Sequence, residues 1–200
     1  MRAVAICGSP RKGGNTEILL KRCLAVLEAR GVRGELIRLQ GKEIKPCRAC
    51  GVCEQKKDGK CHLKGDDFGA VFEKMLEADI LVVGSPVYFG SATPQMMALL
   101  DRAGYVARFN GNCFSRKLGG LIVVARRAGQ NFTYAQLLFW FMIMGMVVPG
   151  SSYWNIAFGR TVGEVNGDQE GLETVDHFAE NLAWLAEKIH GRKRARSREP

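Results

Sequence analysis

Long apolar runs are missing from this 200-residue chain. The longest, Leu137 to Val148, lies between Gln136 and Pro149 and falls short of the ~18 residues a membrane helix needs. It is expected to be a buried or subunit-contact helix, and no membrane partner is expected. A secretory signal is not recognised either: Ala3 to Cys7 is too short an apolar stretch and basic residues follow it, so a cytoplasmic protein is expected. Internal repeats and dividing linkers are absent, which argues for one domain of ordinary size. A disulfide framework is not expected, because the seven cysteines are odd in number and four of them are crowded together. Cys7, Cys23 and Cys113 read as small buried hydrophobes. Acidic side chains are in deficit, giving a net charge of +9. Much of that excess is local, in Arg192, Lys193, Arg194, Arg196 and Arg198 near the C-terminus. No aromatic residue interleaves those cations and no DNA-reading motif occurs, so nucleic acid is not an expected partner. Residues 191–200 read as a basic, flexible tail.

What is present alternates. Short apolar strands at Arg2 to Cys7, Ile80 to Gly84 and Leu118 to Ala125 have the pattern of parallel strands buried on both faces. Arg33 to Leu39 is charged enough to be an edge strand, and Val147 to Phe158 holds the last strand with an irregular segment. Helices are expected from Asn15 or Thr16 to Gly31, from Asp66 and Asp67 onward, from Pro94, from about Thr133 to Gly145, and from about Asp168 to a stop at Gly191. The alternation implies an α/β fold with helices on both faces of a five-stranded parallel sheet. The flavodoxin-like strand order 2-1-3-4-5 fits, with the ligand at the carboxyl ends of the strands. One domain over residues 1–190 is expected, with residues 44–65 inserted as a cysteine-rich loop.

The first strand runs into Gly8-Ser9-Pro10-Arg11-Lys12-Gly13-Gly14-Asn15-Thr16. Free backbone N–H groups, hydroxyls and two cations meet there at a helix N-terminus, the usual setting for a bound phosphate. The NTPase loop is excluded, because Gly14 and Asn15 stand where Lys and Ser or Thr are needed, and the G-x-G-x-x-G dinucleotide fingerprint is absent. A loop rich in Ser, Thr and Asn suits the terminal phosphate of FMN.

Cys47, Cys50, Cys53 and Cys61 form C-x2-C-x2-C-x7-C. The first three match the opening of the bacterial ferredoxin run, and Pro46, Gly51 and Gly59 permit the tight turns a wrapped cluster needs. A [4Fe–4S] cluster is the first reading. Structural zinc and free or disulfide-linked thiols are the alternatives. Lys56, Lys57, Lys60 and Lys64 would offset the cluster's charge and could steer an acidic donor.

The loop Gly8 to Thr16, the segment Gly84-Ser85-Pro86-Val87-Tyr88-Phe89-Gly90 and the compact cysteine motif together resemble the iron–sulfur flavoproteins, a branch of the NADPH-dependent FMN reductase (flavodoxin-like) superfamily. The resemblance covers about residues 2 to 190. It implies that Ser9, Arg11, Asn15 and Thr16 hold the FMN phosphate, with Lys12 and Gly14 alongside. It implies that Pro86, Val87, Tyr88, Phe89 and Gly90 line the isoalloxazine ring. Ala125 to Gln130, including Arg126, Arg127 and Gly129, resembles the third flavin loop, and its arginines could stabilise reduced flavin. The four cysteines would be the metal ligands.

The first functional reading is therefore an FMN-dependent electron-transfer oxidoreductase coupling a flavin to a [4Fe–4S] cluster. NAD(P)H or a ferredoxin would be the donor, and a homodimer or dimer of dimers the assembly. No side-chain acid or base is nominated, because the cofactors carry the chemistry. The alternatives are an NAD(P)H-dependent FMN or quinone reductase with a structural cysteine loop, and a non-enzymatic redox-sensing or nucleic-acid-binding protein.

Overall fold

A computed structural model describes the backbone of residues 1–196 and the side chains of residues 1–189. Five strands, β1 (Arg2–Cys7), β2 (Arg33–Arg38), β3 (Ile80–Pro86), β4 (Leu118–Ala125) and β5 (Ile156–Phe158), form one parallel sheet in the order β2-β1-β3-β4-β5. The register runs Ala3 to Ile80 between β1 and β3, and Ile80 to Leu118 between β3 and β4. The three central strands are almost wholly buried, as their unbroken apolar sequences require.

Side chains alternate across the sheet. Ala3, Ala5 and Cys7 pack with helices α1 (Asn15–Ala29) and α6 (Gln169–Arg196). Val4 and Ile6 pack on the other face, with α3 (Phe68–Glu77), α4 (Pro94–Phe109) and α5 (Gln130–Ile143). Two glycines in β4 let the layers close. A Cβ on Gly119 would lie 2.7 Å from the Phe141 ring of α5, and one on Gly120 would lie 2.5 Å from the Phe178 ring of α6. Bulky strand residues would hold both helices off the sheet.

The element boundaries depart from the sequence expectations in four places. α1 ends as expected at Gly31, where Val32 N–H donates to Leu27 O and Gly31 N–H to Glu28 O, a Schellman closure with Gly31 at φ +77°. α5, however, starts at Gln130, not Thr133, because Gly129 (φ +88°) supplies the turn just before it. α6 continues past the expected stop at Gly191 to Arg196. A helical glycine costs only about 1 kcal/mol, and the Arg, Lys and Ala that follow favour a helix. The expected tail is thus helical over residues 191–196, and residues 197–200 lie outside the described residues. A short helix, α2 (Val52–Lys56), forms inside the cysteine loop. Asp66 and Asp67 do not cap α3 with their side chains; both carboxylates are drawn to the cysteine loop instead.

Candidate functional site

The carboxyl ends of β1, β3 and β4 open onto a cavity of ≈ 290 Å³. Ser9, Arg11, Asn15, Thr16, Pro86, Val87, Tyr88 and Arg126 line it, together with Val124, Gly159 and Arg160. Eight of the residues expected from the sequence at a flavin site therefore meet around one space, at the address where this fold binds ligands. The N-terminus of α1 faces it without a side-chain cap, which leaves helix N–H groups for an anion.

The loops around this cavity are held by buried polar groups that carry no sequence motif. Thr93 Oγ1 donates to Gly8 O at 2.8 Å, and Thr93 N–H donates to Ser85 Oγ at 3.0 Å. Ser85 and Thr93 are both buried, so one pair ties the end of β1, the end of β3 and the start of α4 together. Gln136 Oε1 accepts from Ala92 N–H at 2.9 Å and Ser91 Oγ at 3.1 Å, fixing the second loop to α5. Gly129 permits the third loop to approach: a Cβ there would lie 2.9 Å from Val87 Cγ1 and 3.3 Å from Gly90 Cα.

Glu17 has the same role under the loop Gly8 to Thr16. Its buried carboxylate accepts from Gly13 N–H at 2.9 Å, from Arg38 at 2.9 and 2.7 Å, and from Lys21 at 2.9 Å. Arg38 above all, then Lys21 and the Gly13 amide, hold this carboxyl far below the usual carboxylate range, against the opposing effect of burial. A buried anion beside the uncapped α1 N-terminus is tolerable only because two cations neutralise it.

Several expected residues stand elsewhere. Asn15 lines the cavity, but its amide is committed to the loop after β5: Nδ2 donates to Thr161 O at 2.8 Å and Oδ1 accepts from Gly163 N–H at 2.9 Å. Arg11 Nη1 donates to Arg160 O at 2.7 Å. Lys12, Gly14, Phe89, Gly90, Ala125, Arg127 and Gly129 do not line the cavity. Lys12 and Arg127 point to solvent, while Gly14, Ala125 and Gly129 shape the loops from behind. Phe89 and Gly90 both have positive φ (51° and 82°) at the tip of a two-residue turn closed by Tyr88 and Ser91, which exchange N–H···O bonds of 2.8 and 3.0 Å. That geometry turns the Phe89 ring fully outward. Arg160 was not expected, since the loop after β5 has no motif to announce it.

Cys47, Cys50, Cys53 and Cys61 line a separate cavity of ≈ 320 Å³, with Arg48, Tyr105 and Arg102 among its other walls. Among the described residues none lines both cavities. Cys47 and Cys50 are exposed, Cys53 is buried and Cys61 lies between. The loop that carries them is pinned on two sides. At its base Glu43 N–H donates to Asp67 Oδ2 at 2.8 Å and Lys45 N–H to Asp66 Oδ2 at 3.0 Å. At its far side Asn110, just after α4, accepts from Gly59 N–H at 2.7 Å and reaches Cys53 O at 3.4 Å.

Arg102 is the least expected residue of this site. It sits in mid-helix on α4 with 1% of its surface exposed. Its guanidinium pairs with the buried Asp66, lies 3.9 Å over the Phe68 ring, and donates from Nη2 to Cys61 Sγ at 3.3 Å. Burial works against its charge, but Asp66 and Cys61 more than offset that, so the cation is retained. Burial pushes the Cys53 thiol up, with Cys61 and Cys50 acting in the same direction. Among the described residues, no three His, Cys, Asp or Glu side chains gather closely enough to hold a metal ion. The four cysteines nevertheless all line the one cavity.

Among the described residues no helix is long and apolar enough to cross a membrane. The family model for NADPH-dependent FMN reductase matches residues 1–161. An iron–sulfur flavoprotein of Methanocaldococcus jannaschii is 35% identical over 196 residues, covering 94% of this chain and 99% of the relative. One of Methanosarcina thermophila is 34% identical over 192 residues, covering 94% and 97%. Among solved structures, RosB with a bound 8-demethyl-8-formylriboflavin-5'-phosphate intermediate superposes with a TM-score of 0.74 at 19% identity, over 100% of this chain and 88% of that one. A WrbA-like flavodoxin of Agrobacterium tumefaciens gives a TM-score of 0.66 at 15% identity, over 94% and 98%. By these matches in sequence the chain belongs to the NADPH-dependent FMN reductase family, in its iron–sulfur flavoprotein branch, and is a flavin-dependent oxidoreductase.

Proposed function

We propose that this oxidoreductase couples FMN to a [4Fe–4S] cluster held by Cys47, Cys50, Cys53 and Cys61, and so joins a two-electron carrier to a one-electron carrier. The observation that carries the reading is the convergence of all four cysteines on one cavity beside a buried guanidinium. A cuboidal cluster binds each thiolate to a different iron, so its four sulfurs need not close on one point as the ligands of a single ion must. The orphaned Nε of Arg102, a buried donor without a partner among the described residues, fits an anionic sulfur-rich occupant. The names of the relatives point the same way.

FMN is the family's cofactor. In this reading its phosphate takes the α1 N-terminus, Ser9, Thr16 and Arg11, and its ring takes the wall formed by Pro86, Val87 and Tyr88. Asn15 and Glu17 hold the loop in shape. Arg126 and Arg160 add positive charge at the rim. When bound, the flavin exchanges two electrons or one and the cluster exchanges one. The protein binds and orients both groups.

The two cavities lie apart within one chain. Thr93, which anchors the flavin loops, precedes α4, and Arg102 lies eight residues into that helix, about 12 Å along its axis. Transfer between subunits of a homodimer or a dimer of dimers fits this separation. The exposed α5 residues Phe132, Phe139, Met142 and Ile143 are the proposed contact face. Exposed Arg48, Lys56, Lys57, Lys60 and Lys64 around the exposed cysteines favour an acidic one-electron partner such as a ferredoxin.

The deciding experiment is anaerobic purification with iron, acid-labile sulfide and flavin quantified per subunit, followed by reduction with NAD(P)H or with reduced ferredoxin. Stoichiometric iron, sulfide and flavin with reduction by ferredoxin supports the reading. Flavin without iron, bleached rapidly by NAD(P)H, leaves a pyridine-nucleotide-dependent reductase whose cysteine loop is structural.

A further inference from the structure

We propose that Arg102 sets the reduction potential of the cysteine-bound centre, acting as a positioning and charge-donating residue through Cys61. The inference rests on the reading that the four cysteines hold an iron–sulfur cluster. Adding one electron to such a cluster adds one negative charge, spread over iron and sulfur. No bond to the protein forms or breaks in that step, and the electron is supplied by the redox partner. A fixed cation beside one thiolate favours the more negative, reduced state. Hydrogen bonds to ligand sulfur act in the same direction.

Three features of the site make this a built device, not a chance contact. Arg102 is almost completely buried, so water does not screen it. Its position is fixed from several sides: Asp66 pairs with it, Lys45 O accepts from Nη1 at 3.0 Å, and the Phe68 ring lies beneath the guanidinium. The bond from Nη2 to Cys61 Sγ is 3.3 Å, Arg102 lines the same cavity as the four cysteines, and its Nε is a buried donor without a partner among the described residues. Among the described residues the other cysteines lack such a partner, and Cys47 Sγ accepts from Ala49 N–H at 3.5 Å. A surface lysine could supply charge, but not a desolvated fork aimed at one sulfur.

Asp66 makes the test sharp. It is the counter-ion of Arg102, so removing one or the other changes the net charge beside Cys61 in opposite directions. The experiment uses anaerobically purified full-length protein carrying FMN, as wild type, Arg102→Gln, Arg102→Lys and Asp66→Asn. Cluster and flavin midpoints are followed separately by spectroelectrochemical and electron-paramagnetic-resonance titration. In Arg102→Gln the cluster is expected to be at least tenfold harder to reduce at fixed potential, a negative shift of about 59 mV for a one-electron couple. Asp66→Asn is expected to shift it positively, and Arg102→Lys to fall between wild type and Arg102→Gln. The flavin midpoint should stay where it is in all three. A merely structural role cannot produce shifts of opposite sign. Iron-loaded variants with unchanged midpoints, or with shifts of one sign, overturn this proposal alone. Loss of iron from every variant while FMN stays bound shows Arg102 to be a strut and overturns it too. Wild-type protein free of iron and sulfide overturns the underlying reading and this proposal together.

Discussion

The hydroxyl of Thr93 donates to the carbonyl of Gly8 across 85 residues of sequence, and both groups are buried at the seam where β1, β3 and α4 meet. Gly8 is obligatory there, since a Cβ would lie 2.9 Å from Thr93 Oγ1. Thr93→Val keeps the shape and deletes the hydroxyl donor, leaving Gly8 O without its partner while the backbone N–H of residue 93 still bonds Ser85 Oγ. The expected cost is about 1–3 kcal/mol, with weaker FMN retention because both flavin loops hang from this seam. Thermal denaturation with and without added FMN, together with a fluorescence titration of the apoprotein, measures both effects.

Glu17 gives the fold an acid-sensitive element. Arg38 holds its folded pKa well below the ~4.3 of a free glutamate. The stabilisation it provides is therefore fully present above about pH 4.3 and is lost as pH falls through that value towards the folded pKa. Glu17→Gln is expected to be less stable than wild type by about 1.5–3 kcal/mol at pH 7, with the gap closing on the acid side. Urea denaturation of both proteins between neutral and acid pH is the measurement. A gap that widens on acidification contradicts the assignment.

Gly120→Ala places a methyl 2.5 Å from Phe178 Cζ, in a ring with no exposed surface to retreat to. Overpacking of this kind costs about 1–3 kcal/mol, and a melting temperature lower by several degrees is expected. Gly69→Ala is the matched control. That helical glycine is exposed, with nothing within 4 Å of the added methyl, so neutrality or a gain of about 0.4–1 kcal/mol is expected.

Cys50→Ala should abolish the iron–sulfur absorbance and leave FMN bound, because none of the described residues lines both cavities. Metal analysis and flavin content per subunit check it. Full iron content in the variant contradicts the ligand set.

The sheet was legible because β1, β3 and β4 are buried on both faces and are written as unbroken apolar runs. The residues of the loop Gly8 to Thr16 and of the cysteine run that line the two cavities stand out in the sequence because each stretch is local and repetitive in residue type. The supports of the site were not. Ser85, Thr93, Gln136 and Asn110 are single polar residues whose partners are distant in sequence, so no window along the chain contains the pair. Arg102 was hidden by a second effect. An arginine in an amphipathic helix reads as a solvent-facing position, and only the tertiary placement of Asp66, Phe68 and Cys61 turns it inward. The start of α5 was misjudged because polar Gln130 and Asn131 look like loop, when Gly129 had already set the turn.

The base of the cysteine loop, where the amides of Glu43 and Lys45 meet the carboxylates of Asp67 and Asp66, works as a clasp. The strands pair with one another and not with this loop, so the sheet's register does not depend on what the cysteines hold. Oxidative loss of a metal centre from that loop would then be a local injury, since the bonds at Ser85, Thr93 and Gln136 that hold the loops of the other cavity involve none of its residues.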